Sequence, residues 1–250
     1  MYNFFVDESA RTGDSFLITG SDYNHICNVL RMKEGAHFLV SCGGTSCLCE
    51  FSSADGSTVT AHIVEEDYQS TELPVELILF QGLPKGDKME LIIQKCVELG
   101  VAEIIPVEMS RCVMKLDEKR KTSRVARWQS IAESAAKQSK RNLIPTVSPV
   151  LSCKQAIARA TQLDLVLLPY ENARGMEATR DALRKMKPGM TVGIFIGPEG
   201  GFDPKEVALA QEAGALTVSL GKRILRTETA AVTAVGMCML HCEFELEGHA

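Results

Sequence analysis

Two hydrophobic rhythms divide the chain near residue 70. Before it, apolar residues fall in short runs or alternate with polar ones, as in "FFVD", "SFLITG", "GAHFLVSCGG" and "STVTAHIVEE". Alternation with a period of two buries one face of a strand, so these stretches predict short β segments joined by turns. Between them "SDYNHICNVLRMKEG" predicts a short helix, with Ser21 or Asp22 as its cap and Gly35 beyond its end. Residues 1–70 are therefore expected to form a small β-barrel or sandwich carrying one helix. The polar stretch "YQSTELP", Tyr68–Pro74, ends in proline and marks the expected domain boundary, with a second domain over 74–250.

From Val75 the pattern changes. "VELILFQGL" is an almost unbroken apolar run, followed by "KGDKMELIIQKCVELG", where Met89, Ile92, Ile93, Cys96 and Val97 share one helical face and Gly100 stops the helix. "AEIIPVEM", "LDLVLLPYE", "TVGIFIGPE" and "ALTVSLG" are further buried-type strands. Between them come the helices "TSRVARWQSIAESAAKQSKR", with Val125, Trp128, Ile131, Ala132 and Ala135 as its buried stripe, and "DPKEVALAQEAG". A last helix, "AAVTAVGMCML", is apolar nearly all round and is expected to be buried. Continuously apolar strands alternating with helices imply an α/β fold with a parallel sheet covered on both faces.

Charge adds a second division. The chain is net acidic, at −5, yet residues 111–141 hold ten Lys/Arg against three Asp/Glu, while residues 1–70 hold three against ten. One basic block in an acidic chain is the footprint expected for a polyanion, or else a solvated helix face. Arg127, Ser134, Gln138 and Arg141 fall on one stripe of the predicted helix, away from Trp128, and guanidiniums and amides in line suit phosphates and base edges. Nine cysteines without a signal-like start suggest reduced thiols and a cytoplasmic protein. Cys42, Cys47 and Cys49 cluster without metal-ligand spacing, so no metal is expected. No apolar run is long enough to span a membrane.

Two loops carry candidate chemistry. In "IGPEGGFDPKEV", Asp203, Pro204 and Glu206 fit the N-cap, N1 and N3 positions of a helix and explain "FDPKEV" without a ligand. "GPEGG" exceeds that need, because a turn requires one flexible glycine, whereas Gly197, Gly200 and Gly201 keep side chains away from whatever sits above the strand end. Carboxyl ends of parallel strands are where α/β folds bind ligands. The loop matches neither the dinucleotide fingerprint nor the P-loop. "SLGKRILRTETAA" follows the next strand with Lys222, Arg223 and Arg226 beside Thr227, Glu228 and Thr229; the threonines and acid can be simple helix capping, but arginines at the mouth of a buried helix need an anionic partner, either a structural carboxylate or a substrate.

These two stretches, with "QGLPKGDKMELIIQKCVELGV" and "ESAAKQSKR" before them in order, closely resemble the bacterial ribosomal RNA small-subunit methyltransferase E family, of the SPOUT class. "HICNVLRMKEG" looks like that family's PUA-like barrel. The resemblance implies a deep trefoil knot near the C-terminus and a homodimer. It implies an S-adenosylmethionine-dependent enzyme methylating N3 of a uridine in the decoding region of 16S rRNA, on the small ribosomal subunit. It places the cofactor against Leu168, Pro169 and Glu171, against Ile196, Gly197, Pro198, Glu199, Gly200 and Gly201, and against Leu220, Gly221, Ile224 and Leu225. The PUA-like domain would contact RNA, with Arg31 and Lys33 as candidates beside Arg11, although "MYNFFVD" lacks the basic residues the family often carries at its start.

Uridine N3 must lose a proton before it can accept a methyl group. Arg226 stays protonated and is expected to stabilise the developing anion, with Glu228 or water taking the proton. The competing reading is a non-catalytic RNA-binding or ribosome-assembly protein, which would have no need of the glycine-lined loop.

Overall fold

A computed structural model of the chain describes residues 1–173 and 175–246. The chain divides into two compact units, Met1–Glu72 with Ala136–Leu143, and Leu73–Ala135 with Ile144–Ala250.

The first unit is a six-stranded sheet of β1 (Asn3–Phe5), β2 (Arg11–Thr12), β3 (Ser15–Thr19), β4 (His37–Cys42), β5 (Thr45–Ala54) and β6 (Thr58–Glu65), in the order β1-β4-β5-β6-β3-β2. Alternation works as the sequence suggests: in β3, Phe16 and Ile18 face a core shared with Phe4, Phe38, Val40, Phe51, Val59 and Ala61. The predicted helix after β3 is shorter and irregular. Its N-cap position is Thr19 rather than Ser21 or Asp22; it runs as α1, Gly20–Asn24, and continues as one wide turn, His25–Val29, closed by Leu30 N–H donating to His25 O at 2.8 Å. Arg31 then takes a left-handed φ of 53°, which ends the segment well before Gly35.

The second unit holds a parallel sheet of β7 (Glu76–Gly82), β8 (Val101–Glu108), β10 (Leu151–Ser152), β11 (Leu165–Pro169), β12 (Thr191–Ile196) and β13 (Leu216–Val218), in the order β10-β8-β7-β12-β11-β13, with β9 (Thr146–Val147) pairing β8. Its strands are apolar on both faces because both are covered: Leu77 to Phe80 and Val192 to Ile196 are buried. Phe80 and Phe195 sit opposite one another in register, with rings stacked 4.4 Å apart. The helices are α2 (Lys88–Glu98), α3 (Glu118–Ser139), α4 (Cys153–Ala160), α5 (Glu177–Leu183), α6 (Pro204–Glu212) and α7 (Thr227–His241). The face of α2 named from its spacing is the buried one, Met89, Ile92, Ile93, Cys96 and Val97. On α3, Trp128, Ala132 and Ala135 are buried, and Ala136 joins them, whereas Val125 and Ile131 are half-buried. The C-terminal helix is not buried all round. Thr227, Ala231, Ala234, Val235 and Cys238 face inward, while Thr229, Thr233 and Leu240 are exposed. No helix among the described residues is long and apolar enough to cross a membrane.

Candidate functional site

The sheet order places β12 between β7 and β11, so the carboxyl ends of β7, β12, β11 and β13 lie side by side. A cavity of about 480 Å³ opens there. Its walls are three loops: Pro169, Tyr170 and Glu171 after β11, Ile196 to Phe202 after β12, and Ser219 to Thr227 after β13, with Lys88 of α2 and Ala230 of α7 completing it. The carboxyl-edge crevice beside a reversal of strand order is where open α/β sheets bind ligands.

Each loop is held by a specific contact. After β12 the chain turns at Gly201, with φ of +67°, and enters α6 through a complete capping box. Asp203 accepts from Lys205 N–H, and Glu206 Oε2 accepts from Asp203 N–H. The other oxygen of Glu206 accepts from Ser110 N–H and Oγ at 2.8 and 3.0 Å, which ties α6 to the segment after β8. Arg111 crosses the same loop and donates to Gly200 O at 3.0 Å. A Cβ on Gly200 would stand 2.9 Å from Arg111 Cβ, so this glycine serves packing as well as openness. Pro198 rests on Gly82, where a Cβ would come within 2.7 Å of the proline ring. After β13, Ser219 and Thr179 of α5 exchange hydrogen bonds at 2.9 Å, fixing the start of the third loop.

Charge is arranged unevenly around the cavity. Glu199 Oε1 accepts from Lys88 Nζ at 2.7 Å and from Lys85 N–H at 3.0 Å. Burial pushes this carboxyl upward, but the bond from Lys88 and backbone N–H donors outweigh it and hold it below its ordinary range. Lys88 Nζ also stands 3.9 Å from Glu228 Oε2, an atom that is buried and has no hydrogen-bond partner among the described residues. Arg226, the N-cap of α7, is exposed at the rim. The arrangement offers a backbone-lined wall, one anchored acid–base pair and a rim of cations, Lys222, Arg223 and Arg226.

Of the residues singled out from sequence, Pro169, Glu171, Ile196 to Gly201, Leu220, Gly221, Ile224, Leu225 and Arg226 all line this cavity. Leu168 does not; it is buried in β11 beneath the wall. Glu228 does not line it either, although its Oε2 stands 3.9 Å from Lys88 Nζ, which does. Sequence reasoning passed over Lys88, Tyr170 and Ser219, and read Thr227 only as part of a helix start. It also passed over Gln81, whose signal was a lone polar residue within the apolar run "ELILFQG".

The basic helix requires a correction. Arg127, Ser134 and Gln138 are exposed along α3 as spaced, although Arg127 is paired with Glu90, Nε to Oε1 at 2.8 Å. Arg141 is not on that stripe. The helix ends at Ser139, Lys140 takes a left-handed φ of 60°, and Arg141 turns inward until it is 3% exposed. Its guanidinium forks onto Glu72, with Nε at 3.0 Å from both carboxylate oxygens. A guanidinium so enclosed cannot meet a phosphate. Lys119 and Arg124 are the α3 cations without an ion pair among the described residues. Arg31 and Lys33 are both exposed in the first unit. Among the described residues no cluster of three or more His, Cys, Asp or Glu is placed to hold a metal ion.

Comparison with known proteins agrees with this architecture. The RNA methyltransferase domain family matches residues 71–239, and the RNA methyltransferase PUA domain family matches residues 18–64. The ribosomal RNA small subunit methyltransferase E of Bacillus subtilis is 38% identical over 242 residues, covering 94% of each chain. The corresponding enzyme of Neisseria gonorrhoeae, solved bound to S-adenosyl methionine, is 33% identical with a TM-score of 0.78, covering 95% of this chain and 96% of that one. A Legionella pneumophila protein solved in complex with the cofactor SAM is 29% identical with a TM-score of 0.80, covering 96% and 97%. With the match running through both units, the chain belongs to the ribosomal RNA small subunit methyltransferase E family.

Proposed function

We propose that the chain is an S-adenosylmethionine-dependent methyltransferase acting on N3 of a uridine in the decoding region of 16S rRNA, with the assembled small ribosomal subunit as substrate. The observation that carries this reading is the three-loop cavity at adjoining strand ends, in a chain of this family. The residues present suit the cofactor. About 480 Å³ falls in the ordinary range for a small-molecule site. Gly197, Gly200, Gly201 and Gly221 expose backbone that can meet adenine and ribose. Pro169, Glu171, Ile196, Pro198, Glu199, Leu220, Ile224 and Leu225 supply the remaining contacts, and Leu168 supports them from below.

S-adenosylmethionine brings an already electrophilic methyl group, so the chain's own task is alignment, exclusion of water and management of the N3 proton. Arg226, at the rim and free of any ion pair among the described residues, stabilises negative charge on N3 and its flanking carbonyl oxygens. Water takes the proton, or Glu228 does through a bridging water, since Glu228 does not line the cavity; its unpartnered oxygen near Lys88 supports a carboxylate with spare accepting capacity. Arg226→Ala is expected to lower kcat by about 10²–10³ at saturating RNA and cofactor, the size seen when one anion-stabilising donor is removed. Turnover near wild type would overturn the assignment.

The same reading makes the chain a cytoplasmic homodimer with a trefoil knot. The return of α7 from the outermost strand β13, past the loops after β11 and β12, to pack on α2 and β7 supports the knot. Leu240 near the end of α7 and Phe244 in the wide turn after it, both exposed, support the dimer. Exposed Arg127 and Gln138 on α3, with Arg31 and Lys33 in the PUA-like unit, are the RNA contacts. The deciding experiment is methyl transfer to small subunits from a strain lacking the modification, with the product base mapped by mass spectrometry. Label at N3 of one uridine is expected; absence of transfer to subunits and to free 16S rRNA alike would refute the reading.

A further inference from the structure

The cofactor loop and the first turn of α7 are joined by a buried chain of hydrogen bonds that the chemistry above does not use. Gln81, at the carboxyl end of β7, is completely buried. Its Nε2 donates to Gly82 O at 2.9 Å and to Thr227 Oγ1 at 3.0 Å. Thr227, itself 5% exposed, donates its hydroxyl to Gly197 O at 2.7 Å. The direction of this chain is determined: a carbonyl cannot donate, and a hydroxyl has one proton, so Thr227 accepts from Gln81 and gives to Gly197. We propose that Gln81 and Thr227 form a positioning relay, which holds the loop Ile196–Gly201 and the α7 turn bearing Arg226 and Glu228 in one frame. The role rests on the cavity being the S-adenosylmethionine site.

Packing gives no reason for a glutamine at this position. Its neighbours in β7 are apolar, and its Oε1 is left buried without a partner among the described residues, an expense that leucine or methionine would avoid. The glutamine side of the relay reaches the end of β7, and its threonine side reaches two segments without ladder hydrogen bonds of their own, the glycine loop after β12 and the first turn of α7. Neither Gln81 nor any atom behind it touches the cavity, so its action is through Thr227 and Gly197.

The test is calorimetric titration of the full chain with S-adenosylmethionine, with turnover and the ligand-free thermal midpoint measured on the same samples. Thr227→Val keeps the shape and removes both bonds, and is expected to weaken cofactor affinity about tenfold or more while lowering kcat. Thr227→Ser restores the hydroxyl and is expected to recover binding to within about threefold of wild type, since the bond geometry is retained. Gln81→Leu leaves Thr227 able to donate and is expected to fall between them. Because the two side chains act in series, the double variant Gln81→Leu/Thr227→Val is expected to bind no more weakly than Thr227→Val, within about twofold. Wild-type affinity in Thr227→Val with only a lowered thermal midpoint would overturn the relay, as would additive losses in the double variant. Should Thr227→Val not fold, Gln81→Leu and Thr227→Ser carry the same comparison. Ala230→Trp fills the cavity from α7; if it leaves cofactor binding intact, it is the location of the site that fails, and the relay falls with it for that separate reason.

Discussion

Gly82 is where the fit between the sheet and the loop Ile196–Gly201 is tightest, and Gly82→Ala measures it. A Cβ there would lie 2.7 Å from both Cδ and N of Pro198 and 3.0 Å from Met109 Sδ. Ordinary carbon contacts are about 3.5–4.0 Å, so the overlap with proline is roughly 1 Å. The methionine sulfur can swing away, but a proline ring and a backbone nitrogen cannot. The added methyl must therefore push the loop Ile196–Gly201 off the end of β7 or bend the strand. Overpacking of this kind costs about 1–3 kcal/mol. In urea, with an unchanged slope, that lowers the midpoint by roughly 1 M. Trp128 is the chain's single tryptophan and is buried in the same unit, so its fluorescence follows the relevant transition. A displacement near 1 Å at the cavity wall is expected to cost about a hundredfold in catalytic efficiency, beyond the stability loss. If Gly82→Ala unfolded at the wild-type midpoint and turned over at the wild-type rate, the close approach of Pro198 would be wrong, and with it the account of how the loop is seated.

Three further outcomes follow from particular contacts. Glu72 takes the Arg141 fork together with the backbone N–H groups of Asn142 and Leu143 at 2.8 and 3.2 Å, so Glu72→Ala removes the carboxylate from a buried guanidinium; a loss of about 3–5 kcal/mol in chemical denaturation is expected, and a loss under 1 kcal/mol would refute the pairing. In filter binding to RNA, Arg127→Ala, Lys119→Ala and Arg124→Ala should each flatten the slope of log K against log salt by about 0.7–0.9, while Arg141→Ala leaves the slope unchanged and lowers stability instead. An unaltered slope in all three would remove α3 from the RNA footprint. Glu199 is held below its ordinary value of 4.5, so its stabilising contribution is present above that value and is lost as pH falls through the lower folded value. Thermal midpoints of wild type and Glu199→Gln between pH 6 and 3 should therefore converge in acid, and parallel curves would show that the Lys88 pair contributes nothing.

Local patterns made much of the second unit legible. Strands buried on both faces must be apolar throughout, and the residues 75–83, 102–109 and 191–199 carried that mark. The face of α2 and the capping box before α6 were equally readable, because both depend on neighbours within four residues. Short amphipathic helices were harder: α4 and α5 carry one large aliphatic residue each, Ile157 and Leu183, and went unassigned, as did β5, whose cysteines and serines alternate weakly. Of the cavity, two loops could be named from their excess of glycine and cation, and the third, after β11, only from the family resemblance; Lys88 and Gln81 could not be named, nor could the bond from Thr227 to Gly197, since each acts on a residue far away in the chain.

Charge spacing on α3 misled for a related reason. A stripe is defined only while the helix lasts, and whether Lys140 turns left-handed to bury Arg141 depends on a carboxylate 69 residues earlier. What the sequence alone determined was periodicity: the long buried strands, the buried face of α2, the capping box that opens α6, and which loops hold more glycine than a turn needs. Such properties arise from backbone sterics and from the burial of adjacent side chains, and these interactions are local. Only the tertiary structure decided the strand order, and with it the gathering of three loops around one cavity, the seat of Pro198 on Gly82 and the enclosure of Arg141 by Glu72. Those outcomes depend on which distant surfaces exclude water together, and no window of neighbouring residues contains that information.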